Sequence, residues 1–447
     1  MKDAWLIFLG LWLVYGATID KADLFNYNLQ QSVVEAIVER GTYSVGDSQV
    51  PQLRDKGDAF FYQGRWLPSK QPGQPALGAA VYYFCALLGV TYLKNYFLAA
   101  ALVTWLTSSL ICAMAGACFY LLVTRAWGFS RWIGVVSSLA AGLATIIFPY
   151  AGIAHHDAIA ASLLLMAFYF SERPRGSGWS DVCAGALLGA ALATSMLPAV
   201  MAAALAVSLV ARHLFAGRGL ARIMACLAGM AAGLAPLALY NAHYFGNPLV
   251  QANIAGHYTE TFPSFDGPRL LHHLNAYLGA GEVSVLKYMP ILAAAMFGIF
   301  LMPPRLSRQR GLLMVMIGLH LAYVLNLPAF GVCQYGPRWL MTMVPFAMLG
   351  LPALLDLPGP AARVGRWTCL VAGLWSFAVS AAGALCGTMY CDTERFAFLD
   401  CIRELPGLSM QLYPLAPMCL GLMALAGAAL AAAPLLSRAV ARAPGRG

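Results

Sequence analysis

Five clusters in the 447-residue chain carry side chains able to do chemistry. The stretch Asp20-Lys-Ala-Asp23-Leu-Phe-Asn-Tyr27 sets two carboxylates three residues apart, just beyond the first apolar run. A carboxylate at a membrane boundary loses solvation and becomes a stronger base, so Asp20 or Asp23 suits proton abstraction or metal binding; solvated loop acids would read the same way. His155-His156-Asp157 falls in a tight turn between apolar runs, where ionisable groups face either headgroups or a cavity in a bundle. A divalent ion such as Mg or Mn on His156 and Asp157 is one reading of the triplet, and a hydrated turn is the other. Adjacent histidines on a helix point in different directions, which counts against a site using both. Arg65-Trp66-Leu67-Pro68-Ser69-Lys70-Gln71-Pro72-Gly73, with Tyr62 nearby, puts cations in a polar loop as phosphate binding requires; snorkelling at an interface accounts for the same residues. Tyr335-Gly336-Pro337-Arg338-Trp339 offers one arginine at a helix start, as a phosphate ligand or as an anchor. Tyr240-Asn241-Ala-His243-Tyr244-Phe245-Gly246-Asn247-Pro248 closes an apolar run with a tight turn. The polar residues beyond it (His257, Tyr258, Glu260, Asp266, Arg269, His272, His273) line either a site or an interfacial loop. No P-loop, GxSxG or HExxH string occurs, so nucleotide hydrolysis and serine or zinc hydrolase chemistry lack support.

The elements that must position these groups are set by solvent. Hydrophobic residues make up 60% of the chain, charged residues 11%, and the mean hydropathy is +0.69. Soluble domains carry about 25% charged residues, so lipid must be the solvent for most of this surface. The composition predicts an all-α, polytopic transmembrane bundle: a single membrane domain over 1–447, with no soluble domain at either end and no internal repeat.

Residues 4–17 form an apolar stretch behind Lys2, read as a retained first span rather than a signal peptide. Residues 24–40 read as an amphipathic helix stopped by Gly41. Further spans are expected near 97–124, 132–150, 158–170, 181–195, 197–211, 223–241, 286–302, 311–328, 339–355, 367–388 and 412–436, about twelve in all. The pair within 181–211 is short for a crossing that needs about 20 residues.

Charge placement sets the sidedness. With 76–92 taken as a re-entrant or surface-lying helix, one side of the membrane holds Lys2, Arg125, Arg131, Arg173, Arg175, Arg212, Arg218, Arg222, Arg305, Arg308, Arg310, Arg363, Arg366, Arg438, Arg442 and Arg446, sixteen of the 28 basic residues. If 76–92 crossed instead, the fifteen arginines from Arg125 onward would face outward. The positive-inside rule selects the first arrangement. The net charge of +9 is thereby a topological signal and not a sign of nucleic-acid binding. The loops facing away from the cytoplasm are then 18–96, 151–157, 242–285, 329–338 and 389–411, so the site faces outward. Eleven cysteines are scattered without a CxxC pair, which disfavours zinc. Cys391 and Cys401 flank a polar outward loop and are candidates for a disulfide in an oxidising compartment.

Taken in order, these pieces resemble the GT-C superfamily of membrane glycosyltransferases, which includes aminoarabinose transferases, protein O-mannosyltransferases and bacterial relatives. The resemblance covers most of the chain. It rests on Asp23 with Tyr27 four residues on and a helix ending at Gly41; on Lys70-Gln71-Pro72-Gly73 leading the segment 76–92; on the basic turn Arg125 to Arg131; on Asp157; and on Tyr240-Asn241…Phe245-Gly246-Asn247-Pro248 and Gly336-Pro337-Arg338-Trp339. Gln71 departs from the family's lysine–proline contact, and the family's frequent soluble C-terminal domain has no counterpart. The resemblance implies transfer of a sugar, with inversion, from a polyprenyl-phosphate donor to a lipid, glycan or protein acceptor. It places the protein in a bacterial cytoplasmic (inner) membrane, among membrane lipids, with an extracytoplasmic active site. It makes Asp23, with Asp20 as rival, the base and Asp157 a second catalytic acid. Lys70, Arg338 and Arg65 become donor-phosphate ligands, and His155, His156, Tyr27, Tyr62 and His257 position the acceptor or a metal. The rival reading is a transporter or lipid flippase, which would want charges or helix breaks in mid-span and paired halves. A non-catalytic scaffold would not need acids and cations concentrated in outward loops.

Overall fold

A computed structural model describes residues 1–173, 178–215, 219–257, 262–281, 283–328, 333–391 and 395–428, with the Ala361 side chain left aside. The C-terminal part of the expected span 412–436, and Arg175, Arg218, Tyr258, Glu260, Arg438, Arg442 and Arg446, lie outside the described residues.

Among the described residues the chain is predominantly helical, as expected, with one hairpin in the first loop. Ala59–Tyr62 pairs antiparallel with Arg65–Pro68 through a turn at Gln63 and Gly64. Both turn residues have positive φ, 46° and 80°, the backbone of a two-residue hairpin. The expectation of about twelve spans is met only in part. Among the described residues, three helices are long and apolar enough to cross a membrane: Tyr96–Ala126, Leu220–Phe245 and Ala362–Cys386. The pair Pro290–Phe300 and Pro304–Leu325, bent by 100°, makes a fourth if it counts as one span. Other apolar segments are shorter or broken. Arg131–Leu143 stops before Ile147–Ala151, and 338–355 divides into a 3-10 turn and two short helices, Val344–Met348 and Leu351–Leu355.

Several short helices nonetheless run between two distinct ends of the bundle. His156–Glu172 begins at Asp157, whose Oδ1 accepts a hydrogen bond from Ser195 at 2.8 Å. It ends at Glu172, which pairs with Arg212 and Arg308 at 3.4 and 2.6 Å. Gly178–Thr194 starts at the latter end, where Asp181 meets Arg222 at 2.7 Å and His213 at 3.1 Å, and leads to Ser195 at the former. Asp3 and Arg131, read as inward-facing, likewise join at 2.6 Å. Acids and arginines assigned to one face by charge counting therefore meet each other in space. At a rise of about 1.5 Å per residue, a 17-residue helix covers roughly 25 Å, slightly less than a hydrocarbon core.

Helices Gly178–Thr194 and Leu220–Phe245 interlock through small residues. A Cβ at Gly185 would lie 1.9 Å from the Cys226 carbonyl oxygen, and one at Gly229 would lie 2.1 Å from that of Val182. Gly189 and Gly233, four residues on in each helix, are as tightly met, at 2.3 and 2.2 Å. With lipid as solvent, close backbone contact of this kind replaces the hydrophobic effect as the force joining helices.

The helix Gly73–Leu87, which contains most of 76–92, lies along one end of the bundle. Both flanks meet the first loop: Lys70 approaches Asp58 at 3.7 Å, while Tyr96 donates to the Leu24 carbonyl at 2.6 Å and Tyr92 to Gln31 at 2.5 Å. The two ends of the segment thus return to residues 24–58.

Candidate active site

Two acids open the site. Asp20 caps the short helix Lys21–Asn26, its Oδ1 accepting the Asp23 backbone N–H at 2.8 Å. The helix expected over 24–40 is in fact two, broken at Tyr27, with the second running Asn28–Arg40 to Gly41 in the left-handed conformation. The break turns Tyr27 away from the amphipathic face and toward the site.

Asp23 is almost wholly buried (3% exposed) and is held from the far end of the sequence. The Thr388 backbone N–H donates to its Oδ1 at 2.9 Å, and the Thr388 hydroxyl lies 3.2 Å from both carboxylate oxygens and 3.1 Å from the Tyr27 hydroxyl. Gly387 makes this approach possible. Its φ of +90° is open to glycine, and a Cβ there would sit 3.2 Å from Asp23 Oδ1. Thr388 and Gly387 escaped the sequence reading: 365 residues separate Thr388 from Asp23, and a threonine after an apolar helix carries no local signal.

Burial governs the protonation of the pair. Desolvation lifts Asp20 to about 6 against hydrogen bonds from the Asp23 and Ala22 backbone. Desolvation, then the charge of Asp20, drives Asp23 well above the ordinary carboxylate range, against the opposing hydrogen bonds from Thr388. Both shifts favour the protonated forms, and the repulsion between the two carboxylates disfavours a doubly charged pair. Burial also pushes the Tyr27 phenol up to about 12, helped by Asp23 and opposed by Arg338 and Thr388.

The second arm reaches the same place through aromatic contacts. Tyr27 meets His155 edge-on at 5.6 Å, as does Tyr150 at 5.1 Å. His155 precedes the helix His156–Glu172 as its N-cap. Its ring therefore need not diverge from that of His156 as on a continuous helix; the two stack at 4.6 Å. The sequence argument against joint use of adjacent histidines does not hold here. Asp157 lies 3.4 Å from His156 Nε2 and 3.8 Å from His155 Nδ1. Ligand atoms of His155, His156 and Asp157 all fall within 4.8 Å of one another, a separation that fits one metal ion. Ser195, also absent from the sequence reading, orients the carboxylate.

Arg338 ties the arms together. It is electrostatically coupled to Tyr150, Tyr27, Asp157 and Asp58, and its Nε is buried with no hydrogen-bond partner. A buried guanidinium N–H without an acceptor costs free energy unless a ligand supplies one. Lys70 adds a second cation whose charge is felt by both His155 and His156. The segment behind it is fixed by Gly73, where a Cβ would lie 2.6 Å from the Ala193 carbonyl oxygen, beside Ser195. Asp20, Asp23, Tyr27, Lys70, His155, His156, Asp157 and Arg338 thus form one connected cluster.

Three expected site residues sit elsewhere. Arg65 and Tyr62 are carried by the hairpin onto the Tyr240–Phe245 turn, Arg65 over the Tyr244 ring at 5.8 Å and Tyr62 against Phe245 at 5.4 Å. His257 is exposed on a left-handed turn. The expected Cys391–Cys401 disulfide is replaced by Cys333–Cys391. The two loops meet beside it, where the Gln334 N–H donates to the Tyr390 carbonyl at 2.9 Å. Cys401 instead stays a buried free thiol on the helix Ala397–Glu404. The bridge fastens the loop carrying Arg338 to the segment just after Thr388.

The sequence matches no protein-family model and no curated protein. Solved structures are similar across nearly the whole chain. ArnT from Cupriavidus metallidurans bound to undecaprenyl phosphate is 14% identical with a TM-score of 0.46, covering 96% of this chain and 79% of that one. The apo oligosaccharyltransferase from Archaeoglobus fulgidus is 11% identical with a TM-score of 0.51, covering 91% of this chain and 58% of that one. At this identity the likeness is one of fold alone, carried by the TM-score of 0.51 to the archaeal oligosaccharyltransferase.

Proposed function

We propose that the protein is a membrane glycosyltransferase that moves a sugar, with inversion, from a polyprenyl-phosphate donor to a hydroxyl acceptor (lipid, glycan or protein) on the extracytoplasmic face of a bacterial inner membrane. The observation that carries this reading is the convergence of Asp23, Asp157 and Arg338, from distant parts of the sequence, on one end of an apolar helical bundle. The acceptor oxygen attacks the anomeric carbon as the bond to the donor phosphate breaks. Its proton passes to the Asp23–Asp20 pair, which ends the step with one proton more than it began. Thr388 holds Asp23 in register for that transfer. Arg338, with its unpaired Nε, and Lys70 take up the charge that develops on the leaving phosphate. His155, His156 and Asp157 are the residues that would hold a divalent ion, which when bound would supply further positive charge beside that phosphate. A polyprenyl tail suits the architecture, since it remains in the bilayer while the headgroup reaches the cluster. Arg65, Tyr62 and His257 fall to the periphery of this scheme, as residues of the surface toward which acceptors approach.

The test is Asp23→Asn, assayed with a polyprenyl-phosphate sugar and purified protein. Transfer should vanish while membrane insertion and thermal unfolding stay close to wild type. Undiminished turnover removes Asp23 from the mechanism.

A further inference from the structure

Beside the acid and cation cluster lies a group of buried polar atoms that the described residues leave without partners. Gln74 is wholly buried, and neither its Oε1 nor its Nε2 has a hydrogen-bond partner. Gln30 Oε1 and Ser69 Oγ, on residues 5% and 3% exposed, are in the same condition. A buried amide or hydroxyl that has lost its hydration and gained no bond is destabilising until a partner arrives.

Helix packing brings these residues to one corner. The helices Asn28–Arg40 and Gly73–Leu87 run parallel: a Cβ at Gly78 would meet Val34 Cγ2 at 2.6 Å, and the Tyr82 hydroxyl donates to Glu39 at 2.8 Å. One turn back in that register, Gln74 comes opposite Gln30. Gln30 shares its helix face with Tyr27, three residues before it, and Gln74 stands four residues after Lys70. Gly73, next to Gln74, is seated against Ala193 beside Ser195, the residue that holds Asp157. The corner therefore adjoins the cluster through Tyr27, Lys70 and Ser195.

Its chemistry is uncharged. A glutamine amide both donates and accepts, and so does a serine hydroxyl. The carboxylates on the facing helix are already engaged, Glu35 by Arg40 and Ser48 at 3.0 and 3.1 Å and Glu39 by Tyr82. An amino sugar would call for an unpaired carboxylate in this corner, and a uronic acid for a cation beyond those that serve the phosphate. The hydroxyls of a neutral sugar, each a donor and an acceptor, match amide and serine groups directly.

We infer that Gln74, with Gln30 and Ser69, forms the recognition site for the transferred sugar, and that this sugar is neutral and multiply hydroxylated. The inference rests on the glycosyltransferase reading and adds specificity residues to it. A site built of unpaired hydrogen-bonding groups discriminates strongly, because a ligand that lacks the matching hydroxyl leaves them unpaired.

The test is binding to the purified full-length protein, measured by microscale thermophoresis. The probes are undecaprenyl phosphate and its glycosides with glucose, galactose, mannose, glucosamine and glucuronic acid. At least one neutral glycoside should bind about 10-fold more tightly than bare undecaprenyl phosphate and than the two charged glycosides, the scale of one or two hydrogen bonds. Gln74→Leu should erase that preference while affinity for bare undecaprenyl phosphate stays within about 2-fold of wild type. The same variant should unfold at an equal or higher temperature, because an apolar side chain replaces an unpaired buried amide. Tightest binding of a charged glycoside, or an undiminished preference in Gln74→Leu, overturns the inference and leaves the glycosyltransferase reading standing. A fall in thermal stability, or loss of affinity for bare undecaprenyl phosphate, gives Gln74 a structural role and likewise overturns it. Failure of wild type to bind any of these lipids overturns the proposed function, and the inference with it.

Discussion

Replacing Asp20 with asparagine separates the electrostatic cost of the acid pair from its structural work. Asparagine keeps an oxygen to accept the Asp23 N–H, so the helix cap survives. The substitution removes the charge that burial opposes. Asp20 moves from an ordinary 3.8 to about 6 in the folded protein. At about 1.4 kcal/mol per unit, that shift corresponds to roughly 3 kcal/mol. A raised carboxyl binds its proton more tightly when folded. The penalty is therefore absent below about pH 4, grows as pH rises toward about 6 and persists above it. Wild type and Asp20→Asn should unfold together near pH 4, while near pH 8 the variant should be the more stable by up to about 3 kcal/mol. Thermal unfolding of the detergent-solubilised proteins across that range reads the difference. Parallel curves, with a constant gap at all pH values, would refute the account of a buried, charge-burdened pair.

Other outcomes follow from the same geometry. Transfer by wild type should fall as pH drops through about 6, because protonation of Asp20 leaves the pair less able to take the acceptor's proton; a rate–pH profile with no acid limb there contradicts the role given to the pair. Thr388→Val should lower turnover about 10-fold, the loss of the hydroxyl's hydrogen bonds to the Asp23 carboxyl and the Tyr27 phenol, and Thr388→Ser should restore most of it. Cys333→Ala should lower thermal stability by up to about 4 kcal/mol for a closed loop of this length, and reducing agent should act on wild type but not on the variant. Gly185→Val should weaken the pairing of two helices, read as loss of folded protein during purification.

Much of this arrangement was legible in the sequence where local chemistry speaks for itself. The acids before Tyr27 and the glycine stop at Gly41 rest on nearby residues. Gly387 and Thr388 were invisible, because their role exists only once the helix Gly359–Cys386 brings its C-terminal end to Asp23. Ser195 is a similar case, the turn after one helix serving the start of another. The hairpin was missed because Gln63-Gly64 lacks the Asn-Gly or Asp-Gly signature of such turns. The disulfide partner was missed because proximity along the chain favoured Cys401, whereas pairing of two distant loops brought Cys333 to Cys391. The count of spans matches only in part, because apolar runs such as 132–150 and 339–355 are broken by turns.

The central claim is that one pocket holds both the acid pair and the cations for a lipid-linked phosphate. A cryo-EM structure of the protein with a bound polyprenyl phosphate tests it most directly. The account predicts the phosphate on Arg338 and Lys70, with Arg338 Nε donating to it and the Asp23 carboxyl across the same cavity. A phosphate bound away from Arg338 in an active preparation would contradict it.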